Sequence, residues 1–109
     1  MTDPIQARTL AALTKARGFI VQGWTQKAYG RAPDGAGIGY ATAGAHAWCM
    51  VGALYHAMPN EESLGIVLKA QLALEAAADT KKLIKFNDTP GRTKEEILAV
   101  YDRAIEALS

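Results

Sequence analysis

The sequence predicts an all-α domain: a compact bundle of about four helices, with a long glycine-rich loop after the first. Two observations carry most of that expectation. Half of the 109 residues are hydrophobic, and alanine and leucine dominate that half over valine and isoleucine. Those two side chains lose little rotamer freedom in a helix. Apolar residues also recur at helical spacing in several separate stretches, set apart by proline, glycine and capping residues. At 109 residues the chain is read as a single domain, 1–109, since it leaves no room for a second core.

The first helix starts at Asp3-Pro4, where an aspartate accepts from free helix-start amides and a proline at the first helical position wastes no donor. Gln6 stands three residues after Asp3, as in a capping box. Ile5, Leu13, Ala16, Ile20 and Trp24 then recur with Arg8, Lys15 and Arg17 between them. The helix is expected to reach about residue 21, with Gly23 ending or bending it. Residues 30–44 hold five glycines, a proline and an aspartate, the composition of a long loop. Ile38 and Tyr40 are its candidates for pinning the middle to the body.

Ala45 to Met58 is apolar nearly all round and is predicted to be the central, most buried helix. Pro59 stops it, because the residue before a proline is pushed out of helical geometry. Asn60 caps a third helix, with Glu61 and Glu62 near its positive end. Leu64, Val67, Leu68, Leu72 and Leu74 are expected to form its core face, running to about Asp79. Lys81 to Phe86 fits either a further helical turn or a short extended piece. Asn87-Asp88-Thr89-Pro90-Gly91 reads as a dense turn. Thr93 and Glu96 make a capping box for a last helix over about 94–108.

Composition excludes some partners. The net charge is +1, with +3 over residues 1–59 and −2 over 60–109, so no field of either sign recommends nucleic acid or an anionic membrane. No apolar run is long enough to cross a bilayer. The start lacks the basic and apolar regions of a signal peptide. With one cysteine no intramolecular disulfide forms, and a cytoplasmic location is expected.

Several residues are candidates for chemistry. On one continuous helix His46, Cys49 and His56 would share a stripe. That is the arrangement of a cysteine nucleophile with a histidine base, with Asp88 as a further candidate. A shared metal ion is excluded, because Cys49 and His56 would be roughly 10 Å apart on a helix rising ~1.5 Å per residue, and His46 with Cys49 alone makes no zinc site. The Trp-Cys-Met-Val context favours the opposite reading, a buried packing thiol. Gly35-Ala36-Gly37-Ile38-Gly39 is glycine-rich without the lysine and hydroxyl ending of a phosphate loop, so it reads as a connector. Lys81, Lys82 and Lys85 beside Phe86 form a small basic cluster that suits a solvated face better than nucleic acid. Asn87, Asp88, Arg92, Thr93 and Glu96 are explained by turn and cap, with anion binding at the helix start as the functional alternative.

Three segments together resemble a family of small uncharacterised proteins from bacteria and their phages. They are Gly23-Trp24-Thr25-Gln26, Trp48-Cys49-Met50-Val51-Gly52-Ala53-Leu54, and Asn87-Asp88-Thr89-Pro90-Gly91-Arg92-Thr93 leading into Glu96-Ile97-Leu98 and Asp102-Arg103-Ala104-Ile105. The family pattern has a tryptophan before the Asn-Asp pair, where this chain has Phe86. The resemblance implies a compact helical domain with these motifs close together, and a phage- or defence-related role; it implies no activity. Trp24, Trp48, Asn87, Asp88 and Arg92 are the candidate binding residues, edging a small part-apolar pocket; the equal alternative is a filled core with a satisfied turn above it.

The functional expectation is a non-catalytic binding protein, engaging a protein partner or a second copy through an apolar helix face. No cofactor is expected. The alternatives are a small enzyme or ligand-binder built on Cys49, a histidine and Asp88, and nucleic-acid binding through Lys81, Lys82 and Lys85.

Overall fold

The computed structural model describes residues 4–39, 44–58 and 64–109. Among these residues five helices, α1 (Pro4–Gln22), α2 (Met50–Ala57), α3 (Leu64–Ala78), α4 (Leu83–Asp88) and α5 (Lys94–Leu108), carry most of the structure. Between α1 and α2 the described residues form three two-residue strands, β1 (Gly30–Arg31), β2 (Gly37–Ile38) and β3 (Ala47–Trp48). The assignments of Asp3, Tyr40, Pro59, Asn60, Glu61 and Glu62 fall outside the described residues.

The helical expectation holds, but the domain is not purely all-α. The strands form an antiparallel sheet in the order β2-β1-β3, with Gly30 opposite both Ile38 and Trp48. Part of the predicted loop is thus a hairpin, turned by Pro33-Asp34-Gly35. The Asp34 carboxylate accepts from Ala36 N at 2.9 Å, and Gly35 takes φ +90°, a region open to glycine. Trp24 adds a parallel bridge to Trp48: Thr25 N donates to Trp48 O and Trp48 N donates to Gly23 O.

This pairing corrects the predicted helix over 45–58. The backbone of His46 and Trp48 is taken up by Arg31 and Gly23, so helix begins only at Met50, with Cys49 as its extended N-cap. What remains, α2, is the buried central helix expected, with Met50, Ala53 and Leu54 fully enclosed. Trp24 lies past the end of α1. A Cβ on Gly23 would sit 2.3 Å from His46 O, so only glycine admits the returning strand there.

The core joins Leu13, Ala16 and Ile20 of α1 to Leu54 of α2, Ala70 and Leu74 of α3, and Ile97, Val100 and Tyr101 of α5. Leu64, Leu68 and Leu72 do not belong to it. They are 63%, 54% and 64% exposed, while α3 buries Ile66, Val67, Ala70 and Leu74. Both faces of α3 are apolar, and the core takes the one with the β-branched residues. Gln6 reaches across to donate to Leu108 O at the far end of α5. The Thr93–Glu96 capping box is present in both directions. In the undecided 81–86 stretch, helix begins at Leu83 after the N-cap Lys82, and Asn87 and Asp88 end α4, so the turn proper is Thr89 to Arg92.

Candidate functional site

Asn87 is fully buried and uses its whole side-chain amide. Its Oδ1 accepts from the Trp24 indole N–H at 2.7 Å and from Met50 N at 3.0 Å. Its Nδ2 donates to Thr25 O at 3.1 Å and to Asp88 Oδ1 at 3.0 Å. Two acceptor sites and two donors are the full capacity of the group, so the burial leaves nothing unpaired. One side chain on α4 thereby ties the first amide of α2 to the segment after α1.

That segment is held along its length. The Gln26 amide donates to Asn87 O and Thr89 O, and Lys27 N donates to Asp88 Oδ1 at 2.8 Å. Lys27 itself sits in the left-handed region at φ 65°. Behind it, the Arg31 guanidinium donates to Thr25 Oγ1, Gln26 O and Gly35 O, fastening the hairpin to the same stretch. The sequence assigns no role to the Gln26 and Lys27 contacts, because their partners Asn87, Asp88 and Thr89 lie 61 to 63 positions away; the Arg31 contacts are only four to six positions long but follow no regular helical or strand spacing.

Against this scaffold lies a recess of about 210 Å3 lined by Lys27, Ala28, Tyr29, Cys49, Ile84 and Asp88. Cys49 and Asp88 share it. Trp24 and Trp48 do not line it: Trp24 is spent on Asn87, and Trp48 stacks with the His56 ring at 5.0 Å and packs against Phe19. Close approach of the Tyr29 backbone shapes the wall. Cys49 N donates to Tyr29 O at 3.3 Å, and a Cβ on Gly52 would lie 2.1 Å from that oxygen.

Cys49 is 3% exposed, and its thiol is buried with it. Burial pushes it above the ordinary cysteine range, outweighing the amides of Gly52 and Val51 that favour the thiolate, and the nearby Asp88 charge pushes the same way. Its Sγ accepts from Gly52 N at 3.2 Å, acting as the cap of α2. The Cys-His stripe of a continuous helix is not formed, because both His46 and Cys49 precede the first residue of α2. His46 is exposed ahead of β3, and His56 sits between Phe19 and Trp48. Among the described residues no hydrogen bond joins Cys49 to either histidine, and no three of the His, Cys, Asp and Glu side chains cluster as metal ligands.

Arg92 lies apart from the recess. Its guanidinium sits 3.8 Å from the centre of the Phe86 ring, donates to Phe86 O and pairs with Glu96 at 2.9 Å. The start of α5 is closed by its own capping box, so both parts of the suggested anion site are engaged. Lys81, Lys82 and Lys85 are exposed around α4. No helix among the described residues is long and apolar enough to cross a membrane.

No curated protein and no solved structure matches this chain. The pattern of DUF6197, a family of unknown function, matches residues 4–107, which takes in the Trp24 segment, Cys49, the Asn87-Asp88 pair and the last helix. The chain belongs to the DUF6197 family.

Proposed function

We propose that this protein works by binding rather than by covalent catalysis, and that the recess between Asp88 and Cys49 is its binding site. The observation carrying this is the pairing, in one recess, of a carboxylate held in place by a buried amide network with a buried thiol that has no imidazole in reach. A nucleophilic cysteine needs a depressed pKa or an adjacent base, and here burial acts in the opposite direction. A recess with an apolar wall and one fixed polar group is the ordinary form of a ligand site.

The test is the rate at which native Cys49 reacts with a thiol reagent, against the unfolded chain and across pH. Strong protection until unfolding is the expected result. Fast native labelling with a depressed apparent pKa moves the enzyme reading, with Cys49 as nucleophile, to the front.

A second reading rests on α3. Leu64, Leu68 and Leu72 form an exposed stripe at four-residue spacing, continued by Ala76. Its occupant in this reading is a second copy, since antiparallel stripes set Leu64 of one against Ala76 of the other, large against small. Sedimentation equilibrium of wild type and Leu68→Glu checks it: a dimer that the glutamate dissociates is expected, and a wild-type monomer at high concentration removes the reading.

A further inference from the structure

We infer that the ligand of this recess is a small organic cation, an ammonium group on an apolar stem, with the ammonium on Asp88 and the stem against Tyr29 and Ile84. The inference rests on the reading of the recess as a binding site and names its ligand class.

Asp88 carries the one carboxylate among the described residues lining the recess. Its Oδ1 is taken twice, by Lys27 N and by the Asn87 amide, while Oδ2 makes no hydrogen bond among the described residues. No buried side-chain oxygen or nitrogen there lacks a partner, so Oδ2 meets solvent, which a ligand N–H can replace. Two fixed donors on the same carboxylate hold its orientation beforehand, which removes the ordering cost of binding. Asp88 also forms no ion pair among the described residues. The ion pairs among the described residues are Arg17 with Asp102 and Arg92 with Glu96; the Lys27 ammonium is not in contact with Asp88.

Among the described residues, the remaining lining is uncharged apart from Lys27. Ala28, Tyr29, Ile84 and the neutral thiol of Cys49 make an apolar wall, and Tyr29 and Ile84 are 43% and 45% exposed, the surface a stem would cover. At about 210 Å3 the recess falls below the ~300 Å3 at which common small-molecule pockets begin, so the ligand is small. An anion is disfavoured by the carboxylate it would have to face. A neutral ligand leaves Asp88 without its strongest partner, since hydrogen bonds between charged groups are about twice as strong as neutral ones.

The test uses the full chain and three probes of one shape: 2-phenylethylamine, 2-phenylethanol and phenylacetate, followed by the backbone amide signals of Lys27, Tyr29 and Ile84 in NMR titrations. Saturable shifts with the amine are expected, with the alcohol about tenfold weaker or more and the carboxylate weaker still. Asp88→Asn brings the amine down to the alcohol's affinity. Should that variant fail to fold, added salt serves in the wild-type chain, weakening the amine and leaving the alcohol unchanged. Equal binding of amine and alcohol, insensitive to salt, overturns the cation inference and leaves the recess as a binding site. Preference for phenylacetate overturns it too and transfers the charge recognition to Lys27. Absence of shifts with all three removes the recess reading itself.

Discussion

Replacing Asn87 with alanine strands three groups at once: the Trp24 indole N–H, Met50 N and Thr25 O. Each buried group left without a partner costs about 1–3 kcal/mol. Water entering the vacated space recovers part of that, so a net loss of roughly 3–5 kcal/mol is expected, large against the ~5–15 kcal/mol by which domains of this size are stable. Urea unfolding followed by tryptophan fluorescence reads it directly, because Trp24 is itself a partner of the lost amide. A companion variant, Asn87→Asp, keeps an acceptor for Trp24 and Met50 but turns a second oxygen toward Thr25 O and Asp88. Burial and the neighbouring carboxylate raise the folded pKa of the new group above the unfolded value of about 3.9. Its penalty is therefore absent below that pH and grows as pH rises through the folded pKa. A loss under 1 kcal/mol for Asn87→Ala, or a flat pH profile for Asn87→Asp, refutes the claim that this side chain ties α2 to the Trp24 segment.

Gly52→Ala places a methyl 2.1 Å from Tyr29 O; a loss of about 1–3 kcal/mol from overpacking, with faster Cys49 labelling as the Tyr29 segment lifts, is the expected outcome. Glu96 is held below the usual carboxylate range, first by the Thr93 N–H and then by Arg92. Its contribution is present above the unfolded pKa and lost as pH falls through the lower folded value. Glu96→Gln should therefore destabilise the protein at neutral pH, and thermal melts of variant and wild type should converge in acid. Thr93→Ala, which removes the hydroxyl cap of α5, should cost about 1 kcal/mol, measured by the same urea titration.

What the sequence made legible was local. The Thr93–Glu96 box, the end of α1 near Gly23 and the buried character of α2 all depend on residues a few positions apart. Residues 30–44 read only as a glycine-rich loop, because two-residue strands leave no alternation from which to read a sheet. Ala47 and Trp48 are extended because Gly23 and Arg31 claim their neighbourhood, a choice made by partners far along the chain. Asn87 shows the same limit at the site. A turn explained its residue type completely, and that explanation hid an inward side chain whose indole partner is 63 positions away. On α3, leucine at 64, 68 and 72 and the apolar set at 66, 67, 70 and 74 are equally regular, so periodicity alone had no means of choosing the buried face.

The start of α2 decides between the chemistries open to Cys49. A thiol at a helix N-terminus gains acidity when free amides and the positive end of the helix dipole face it. Here Met50 N is given to Asn87, Cys49 N to Tyr29, and the Gly52 amide is held at 3.2 Å by a neutral sulfur acting as cap. The amide at the head of the helix is thus drawn into the network that also positions Asp88, and the carboxylate's charge opposes a thiolate in the same recess. A fixed carboxylate beside a neutral sulfur is poorly arranged for nucleophilic attack. For holding a cation it is well arranged, because the Asp88 charge, which adds to burial in disfavouring the thiolate, is the charge that a cation would meet. Asp88→Asn therefore separates the two chemistries in opposite directions: it should bring the apparent pKa of Cys49 down while weakening amine binding, and a variant that changes neither would show that Asp88 does not act within the recess.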